Sequence, residues 1–316
     1  MTNPSLEAIK LSKRYGEFSA LSNLNLKIEG AKCVGFLGPN GAGKTTTLKI
    51  FTDMIRASEG QALINGIPVH THKRMALSHC GSLIESPEIY PSFTPRDALS
   101  LVAEIRGVPA VDRAKRIDEA LAEVKMEDWK DKKVGKFSKG MKQRINIASA
   151  LLSEPDILLL DEPTTGLDPR GMAEVRDIVK SLKRRSRLIF MSSHLLNEVA
   201  DVCDEVAMID HGKLLVYDTL ANATTKFSGD GAITVEVSLS RPIDDSPHLS
   251  SISSIVGVVS VQKIDSRNLR LKFTGGMANQ EKILADLAAM RIGMISFRAS
   301  SSALEDTYLN LIKDTL

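Results

Sequence analysis

Residues 38–45 read GPNGAGKT and satisfy the spacing G-x-x-x-x-G-K-[ST]. Glycines in this pattern let backbone N–H groups curve around phosphate oxygens without a Cβ in the way. Lys44 can reach the β- and γ-phosphates of a nucleotide, and the hydroxyl of Thr45 can ligate Mg²⁺. The apolar run AKCVGFLG precedes the loop, and a helical pattern, TTTLKIFTDM, follows it with its positive N-terminus toward the anion. The segment therefore predicts a site for a nucleoside triphosphate.

Two adjacent acids, Asp161 and Glu162, follow the apolar run ILLL at residues 157–160. Strands of a parallel sheet end at the ligand crevice, so acids in this position would lie near the phosphates. Because adjacent residues on a strand point in opposite directions, the two carboxylates need not share a task. Asp161 could hold Mg²⁺ through water, and Glu162 could polarise the water that attacks the γ-phosphate. The alternative is a pair of loop or helix-capping acids.

The rest of the sequence predicts the elements that must position these residues. LEAIKLSKRYG and SNLNLKIEG alternate apolar and polar residues as strands do, and Asn65-Gly66 is a hairpin signal. From about residue 94 to 150 the period becomes helical, and Thr94 and Pro95 can begin the first of three amphipathic helices. Strands and helices then alternate, which is typical of a mostly parallel sheet.

A small, polar stretch at residues 218–231, DTLANATTKFSGDG, indicates a domain boundary. The patterns beyond it are those of a strand, a hairpin, a helix and a strand, so we predict a small α+β unit. Its sequence contains no phosphate loop and no metal spacing, and we expect it to carry no catalytic residues. Residues 303–314, ALEDTYLNLIKD, predict a closing helix with a buried apolar stripe.

Composition narrows the class of protein. The 316 residues carry a formal net charge of only +2 at pH 7, which lacks the excess of basic residues typical of nucleic-acid-binding proteins. The three cysteines fit neither a disulfide framework nor a zinc spacing, which favours a reduced, cytosolic chain. No stretch approaches the ~18 apolar residues of a membrane span, and the first residues lack a secretory signal. The basic run KSLKRRSR at residues 180–187 is interpreted as a solvated face.

Residues 137–144, FSKGMKQR, and residues 158–169, LLLDEPTTGLDP, resemble the signature loop, acidic strand and D-loop of the nucleotide-binding subunits of ATP-binding cassette (ABC) transporters. The likeness covers residues 6 to about 220. Within the family, the sequence is similar to the drug and ABC-2-type exporter ATPases. It implies an α/β fold, a P-loop NTPase cassette with a mixed sheet core, an antiparallel β subdomain and an α-helical subdomain at about 88–150. We therefore predict an ATPase domain at residues 1–222 and a small α+β accessory domain at 223–316.

The resemblance implies three kinds of role for individual residues. The catalytic residues are Glu162 as general base, His194 as the switch histidine at the γ-phosphate, and Lys44. The residues for the adenine, the triphosphate and the signature contact are Tyr15, Gly38, Pro39, Asn40, Gly41, Ala42, Gly43, Lys44, Thr45, Thr46, Ser138 and Gly140. The residues for Mg²⁺ are Thr45, Asp161 and Glu85.

Some positions depart from the family pattern or have a second interpretation. Glu85 stands where the family usually has glutamine, which adds negative charge beside the expected metal. Lys139 replaces the commoner second glycine of the signature, and Phe137 replaces leucine. Tyr15 could instead be a buried core residue.

The function implied is ATP binding and hydrolysis with Mg²⁺ on the cytoplasmic face of a membrane. Two such subunits, as a homodimer or as a heterodimer with a second ABC subunit, would sandwich two ATP and drive export through separate transmembrane permease subunits, with no nucleic-acid partner. One alternative is a soluble ABC ATPase that acts on ribosomes or DNA, although translation-type members usually fuse two cassettes and repair-type members contain a long coiled coil. Another is a binding module that uses ATP only as a switch. The sequence names neither the cargo nor its direction.

Overall fold

The structure is a computed structural model that describes residues 3–85, 87–220, 222–223, 233–243 and 247–299. The chain divides into two compact units, Met1–Asp218 and Thr219–Leu316. The boundary expected from the sequence, between residues 222 and 223, lies slightly further along the chain. None of the helices in the described ranges combines the length and the hydropathy of a membrane span.

The first unit is rich in strands at its start, helical in its middle, and alternates strands with helices after that, as the sequence predicts. Its strands are β1 (Ser5–Tyr15), β2 (Phe18–Glu29), β3 (Cys33–Leu37), β4 (Glu59–Ile64), β5 (Ile67–Pro68), β6 (Cys80–Leu83), β7 (Ile157–Leu160), β8 (Leu188–Ser193), β9 (Glu205–Asp210) and β10 (Lys213–Thr219). Its helices are α1 (Lys44–Phe51), α2 (Lys73–Leu77), α3 (Pro95–Ile105), α4 (Ala110–Glu123), α5 (Lys139–Leu151), α6 (Pro169–Lys183) and α7 (Leu196–Val202), with short 3-10 turns at Glu127–Trp129 and Val134–Lys136.

A six-stranded sheet in the order β10-β9-β3-β8-β7-β6 forms the centre of this unit. β3 pairs in parallel with both β8 and β9, and β7 pairs in parallel with β8 and β6. Every residue of β3, β7 and β8 is buried, as the continuous apolar runs of a parallel sheet covered on both faces require. The carboxyl ends of these three strands are therefore neighbours, although they are far apart in sequence.

A second, antiparallel sheet in the order β2-β1-β4-β5 occupies the N-terminal part of the unit. The hairpin expected at Asn65-Gly66 is confirmed, because Ile64 of β4 pairs with Ile67 of β5. Both turn residues have positive φ, 51° and 74°, as a two-residue type I′ turn demands.

The helices between β6 and β7 form a layer in which α3, α4 and α5 contact one another. The predicted start of α3 is confirmed: Thr94 is the N-cap, Pro95 is the first helical residue, and Asp97 completes a capping box. The apolar face of the layer is buried at Leu99 and Leu121, as amphipathic helices require.

Aromatic packing fixes α1, the helix after the phosphate loop, to the sheet. The ring centroids of Phe36 and Phe190 lie 5.0 Å apart, and those of Phe51 and Phe190 lie 6.4 Å apart. All three side chains are fully buried, so α1, β3 and β8 share one core. This core fixes the positions of the residues that follow β3 and β8 relative to one another.

The second unit is a four-stranded antiparallel sheet in the order β12-β13-β11-β14 with two helices. Its elements are β11 (Ile233–Leu239), α8 (Pro247–Ser253), β12 (Val258–Lys263), β13 (Asn268–Phe273), α9 (Gly276–Ala289) and β14 (Met294–Ala299). Alternate apolar residues of β11 and β13, among them Val237 and Leu271, form a core with Ile283 of α9. The sequence predicted this order except for α8, and the closing helix predicted at 303–314 lies outside the described residues.

Candidate active site

The loop between β3 and α1 closes around the side chain of Lys44. Its ammonium group donates hydrogen bonds to the carbonyls of Gly38 at 2.8 Å and Pro39 at 3.0 Å. A Cβ on Gly38 would clash with the carbonyl of Ile209, and Gly43 has a φ of 105°, so only glycine fits at either position. The loop therefore presents backbone N–H groups and a buried lysine at the N-terminus of a helix, which is the arrangement that binds phosphate.

Thr45, the second residue of α1, and Asp161, which follows β7, lie side by side. The hydroxyl of Thr45 donates to Oδ1 of Asp161 at 3.2 Å. The hydroxyl of Ser192, the fifth residue of β8, donates to the same oxygen at 2.6 Å and accepts the backbone N–H of Glu162 at 2.9 Å. A hard cation prefers such hydroxyl and carboxylate oxygens, so the pair fits Mg²⁺.

In the described part of the chain, no group of three or more His, Cys, Asp or Glu side chains could hold a metal ion. Mg²⁺ commonly binds through one or two protein ligands together with phosphate oxygens and water. Thr45 and Asp161 would therefore hold the ion jointly with the nucleotide.

The carboxylate of Glu162 lies between two basic side chains. Its Oε1 is 3.4 Å from the ammonium of Lys44, and its Oε2 is 3.1 Å from Nδ1 of His194 and accepts the hydroxyl of Thr165 at 2.8 Å. Burial acts to raise the pKa of Glu162, but the hydrogen bond from Thr165 and the charges of Lys44 and His194 outweigh it, and the net pKa lies below its ordinary value. Glu162 is therefore ionised at neutral pH, as a general base must be.

The structure thus brings together five of the predicted site residues, Lys44, Thr45, Asp161, Glu162 and His194. Asp161 and Glu162 face different partners, as expected, although Glu162 lies beyond β7 with a φ of 43° and so does not continue the alternation of a strand.

Tyr15 and Glu85 lie at the surface of the first unit. The ring of Tyr15 is 49% exposed, with the ammonium of Lys13 4.9 Å from its centroid, so the alternative of a buried core tyrosine is wrong. Glu85 has a φ of 57° and accepts a hydrogen bond from the ammonium of Lys49 at 2.6 Å. The sequence analysis did not foresee this partner.

Ser138 and Gly140 lie at the first turn of α5. The hydroxyl of Ser138 accepts the N–H of Met141 at 3.2 Å and so caps the helix. A Cβ on Gly140 would lie 3.3 Å from the Cα of Gly171, because α5 and α6 pack closely there. Gln143 donates to the carbonyl of Pro163 at 2.8 Å, which fastens α5 to the turn that follows Glu162.

Three residues that contact predicted site residues escaped the sequence analysis, namely Ser192, Thr165 and Lys49. Ser192 could have been found from its position: it is a hydroxyl residue near the end of the apolar run LIFMSS. Thr165 and Lys49 carried no comparable signal, because their partners are defined only by the folded chain.

Known proteins resemble this chain in sequence and in fold. A sequence model of the family described as ABC transporter matches residues 21–165. The bacitracin transport ATP-binding protein BcrA of Bacillus licheniformis is 42% identical over 211 residues, which are 66% of this chain and 68% of that protein. The chain belongs to the ABC transporter family. It is an ATP-binding, ATP-hydrolysing subunit of the family, and the α/β cassette expected from the sequence is confirmed.

Two further comparisons of this ABC ATPase extend the finding. The linearmycin resistance ATP-binding protein LnrL of Bacillus subtilis (strain 168) is 29% identical over 315 residues, which are 98% of this chain and 99% of that protein. A solved ATP-binding subunit of an ABC transporter superposes with a TM-score of 0.62 at 28% identity, over 70% of this chain and 92% of that chain. The relatives support a transporter subunit and not the alternative of a protein that acts on ribosomes or DNA.

Proposed function

We propose that this ABC ATPase hydrolyses ATP with Mg²⁺ held by Thr45 and Asp161 and with Glu162 as the general base. The observation that carries the proposal is the position of the Glu162 carboxylate, which is ionised and lies 3.4 Å from the phosphate-loop lysine Lys44 and 3.1 Å from His194. Mg²⁺, when bound, would neutralise charge on the β- and γ-phosphates. The role of Glu85 as a third metal residue stays a prediction.

The protein's own groups supply the remaining steps. Lys44 is oriented by the carbonyls of Gly38 and Pro39, so its ammonium is ready to pair with incoming phosphate oxygens. Glu162 accepts a proton from the attacking water. His194, whose Nδ1 lies 3.1 Å from the carboxylate of Glu162, contacts the γ-phosphate. The exposed ring of Tyr15 stacks on the adenine.

The active assembly is a dimer, either of this chain or with a second ABC subunit, that encloses two ATP. The signature segment supports this part of the proposal. Ser138 and Lys139 are exposed at the positive end of α5, where an anion from a facing subunit would be bound favourably. Gly140 allows the close backbone approach that such a contact requires.

The ATPase acts from the cytoplasmic face of a membrane on separate permease subunits. The relatives support this: BcrA is named for bacitracin transport and LnrL for linearmycin resistance. The cargo of this transporter belongs to the same broad class, antibiotics that must be removed from the cell or its membrane. The second unit is an accessory domain without catalytic residues.

A complementation experiment tests this function. Deletion of the gene in its host should increase susceptibility to bacitracin, linearmycin or both, and the wild-type gene should restore resistance. Lys44→Ala should not restore it, whereas Lys27→Ala, which removes an exposed lysine of β2 paired with Glu29, should. Purified wild-type protein should hydrolyse ATP only with Mg²⁺. Resistance restored fully by Lys44→Ala would contradict the proposal.

A further inference from the structure

A second aromatic side chain accompanies Tyr15 at the tip of the hairpin that joins β1 to β2. Tyr15, the last residue of β1, pairs with Phe18, the first residue of β2, across the two-residue turn Gly16-Glu17. Gly16 has a positive φ of 57°, which two-residue hairpin turns commonly require. Residues directly opposite each other in an antiparallel pair project from the same face, so both rings lie on one face of the hairpin.

Both rings present much of their surface to solvent. Tyr15 is 49% exposed and Phe18 is 62% exposed. In the part of the chain that the structure describes, neither ring packs against the other or against a third aromatic ring. The ammonium of Lys13 lies over the Tyr15 ring, 4.9 Å from its centroid, and so occupies one of its faces. Apolar surface of both rings is therefore available to a flat ligand on the same side of the hairpin.

Strand β2 leads from this pair of rings directly to the phosphate loop. A Cβ on Gly43 would lie 2.7 Å from the carbonyl oxygen of Ala20, so the strand and the loop touch there. Phe18 precedes Ala20 by two residues, which is about 7 Å along a strand. Gly212 fixes the contact, because its N–H donates to a carbonyl of the loop at 3.0 Å and its carbonyl accepts the N–H of Ser22 at 2.9 Å. The rings are thus within reach of the part of a nucleotide that continues beyond its phosphates.

We propose that Phe18 is a second base-contacting residue, which together with Tyr15 holds the base of the bound nucleotide and selects purine over pyrimidine triphosphates. The inference rests on the proposed function, in which Tyr15 stacks on the adenine. Aromatic side chains stack on any base because every base has a π-face, and the gain increases with the apolar area that is covered. Phe18 has no hydrogen-bonding group that could recognise the edge of a base. The pair therefore favours the larger purine ring system and does not distinguish adenine from guanine.

Calorimetric titration of the full chain in EDTA, which prevents hydrolysis by removing Mg²⁺, tests the inference. The ligands are ATP, CTP and inorganic tripolyphosphate, which has no base. Phe18→Ala should weaken ATP binding roughly tenfold, weaken CTP binding less, and leave tripolyphosphate binding unchanged. Phe18→Tyr keeps the ring and should retain the affinity for ATP. The double variant with Tyr15→Ala should lose the preference for ATP over CTP.

Controls separate base contact from a structural role. Tyr90→Ala, which removes a 68% exposed ring that packs against Phe93, should change none of the three affinities. Should Phe18→Ala not fold, Phe18→Leu, which keeps apolar bulk without a π-face, should still lower the preference for ATP over CTP.

Two results for Phe18→Ala would overturn the inference. Equal weakening of ATP and tripolyphosphate binding would show that Phe18 only supports the phosphate loop, and unchanged ATP binding would show that the ring does not contact the base. If Tyr15→Ala still weakens ATP binding in either case, the proposed function stands without Phe18. Wild-type protein that binds neither ATP nor tripolyphosphate would instead overturn the proposed function.

Discussion

The hydroxyl of Ser192 lies 2.6 Å from Oδ1 of Asp161 and donates a hydrogen bond to it. The same hydroxyl accepts the backbone N–H of Glu162. Because β8 lies next to β7 in the sheet, its penultimate residue necessarily meets the pair of acids that follows β7. One buried hydroxyl thus orients the proposed metal ligand and the backbone of the proposed base together.

Ser192→Ala should therefore lower the rate of hydrolysis more than it lowers ATP affinity. A hydrogen bond to a charged group contributes about 1.5–3 kcal/mol, so we expect kcat to fall by roughly tenfold or more. Steady-state kinetics and nucleotide titration would separate the two effects. Ser193→Ala is the matched control, because that buried hydroxyl bonds Glu198 at 2.8 Å instead of a site acid. Equal losses in both variants would contradict the assignment.

Glu162→Gln should stop hydrolysis and leave ATP binding intact. The amide keeps the shape of the side chain but cannot accept the proton, and we expect a loss of roughly 10²–10⁴-fold in kcat. The variant also removes negative charge 3.4 Å from Lys44, so the affinity for ATP should not fall. Phosphate release and light scattering, which would detect an ATP-stabilised dimer, provide the measurements. A rate near that of the wild type would exclude Glu162 as the base.

Tyr15→Ala should weaken nucleotide binding without lowering the melting temperature. The ring is 49% exposed, so its removal leaves no cavity, whereas the loss of base stacking should weaken binding roughly tenfold or more. Tyr15→Phe should retain most of the affinity. Tyr90→Ala, which removes a 68% exposed ring, serves as the control and should leave binding unchanged.

Glu123→Ala should be strongly destabilising. The Glu123 and Arg187 side chains are only 9% and 10% exposed, and they form two hydrogen bonds of 2.6 and 3.3 Å. Removing one partner leaves a buried guanidinium without its carboxylate, which costs about 3–5 kcal/mol in the free energy of unfolding. Urea denaturation monitored by circular dichroism is the measurement. Glu29→Ala breaks an exposed pair and should have little effect.

The three cysteines should resist thiol reagents in the folded protein. Burial raises the pKa of Cys80 to about 12, and the hydrogen bond shared with Cys33, followed by burial, raises the pKa of Cys203 well above its usual range. Raised pKa values leave these two thiols protonated and unreactive at pH 8, and Cys33 is shielded from reagents because it is fully buried. A colorimetric thiol assay should find none without denaturant and all three in guanidinium. Rapid labelling of the native protein would contradict this.

Local signals allowed much of the fold to be predicted. The phosphate loop, the Asn65-Gly66 hairpin and the cap at Thr94 each depend on a few adjacent residues whose preferred conformations the chain keeps. The acids after β7 could be placed near the loop because parallel strands end at one edge. The prediction of a feature was therefore confirmed where a single short segment determined both its conformation and its place in the fold.

The remaining features depended on which elements become neighbours. Arg187 was expected to be solvated with the rest of residues 180–187, and this is wrong, because it precedes β8 and meets Glu123 at the end of α4. The contact of Lys49 with Glu85 likewise joins two segments that no sequence period relates. Helix α8 was missed because its seven residues, PHLSSIS, are too few for a helical period to be recognised.

Strand β8 has a mechanical consequence for the first unit. Arg187, paired with α4, comes immediately before it, and His194, beside Glu162, comes immediately after it. Its six residues span about 20 Å and pair with β3 on one side and with β7 on the other, so the strand cannot shift independently of its neighbours. It therefore forms a stiff link. A force applied to the C-terminus of α4 would arrive at His194 along one buried strand, without passing through a loop that could absorb it.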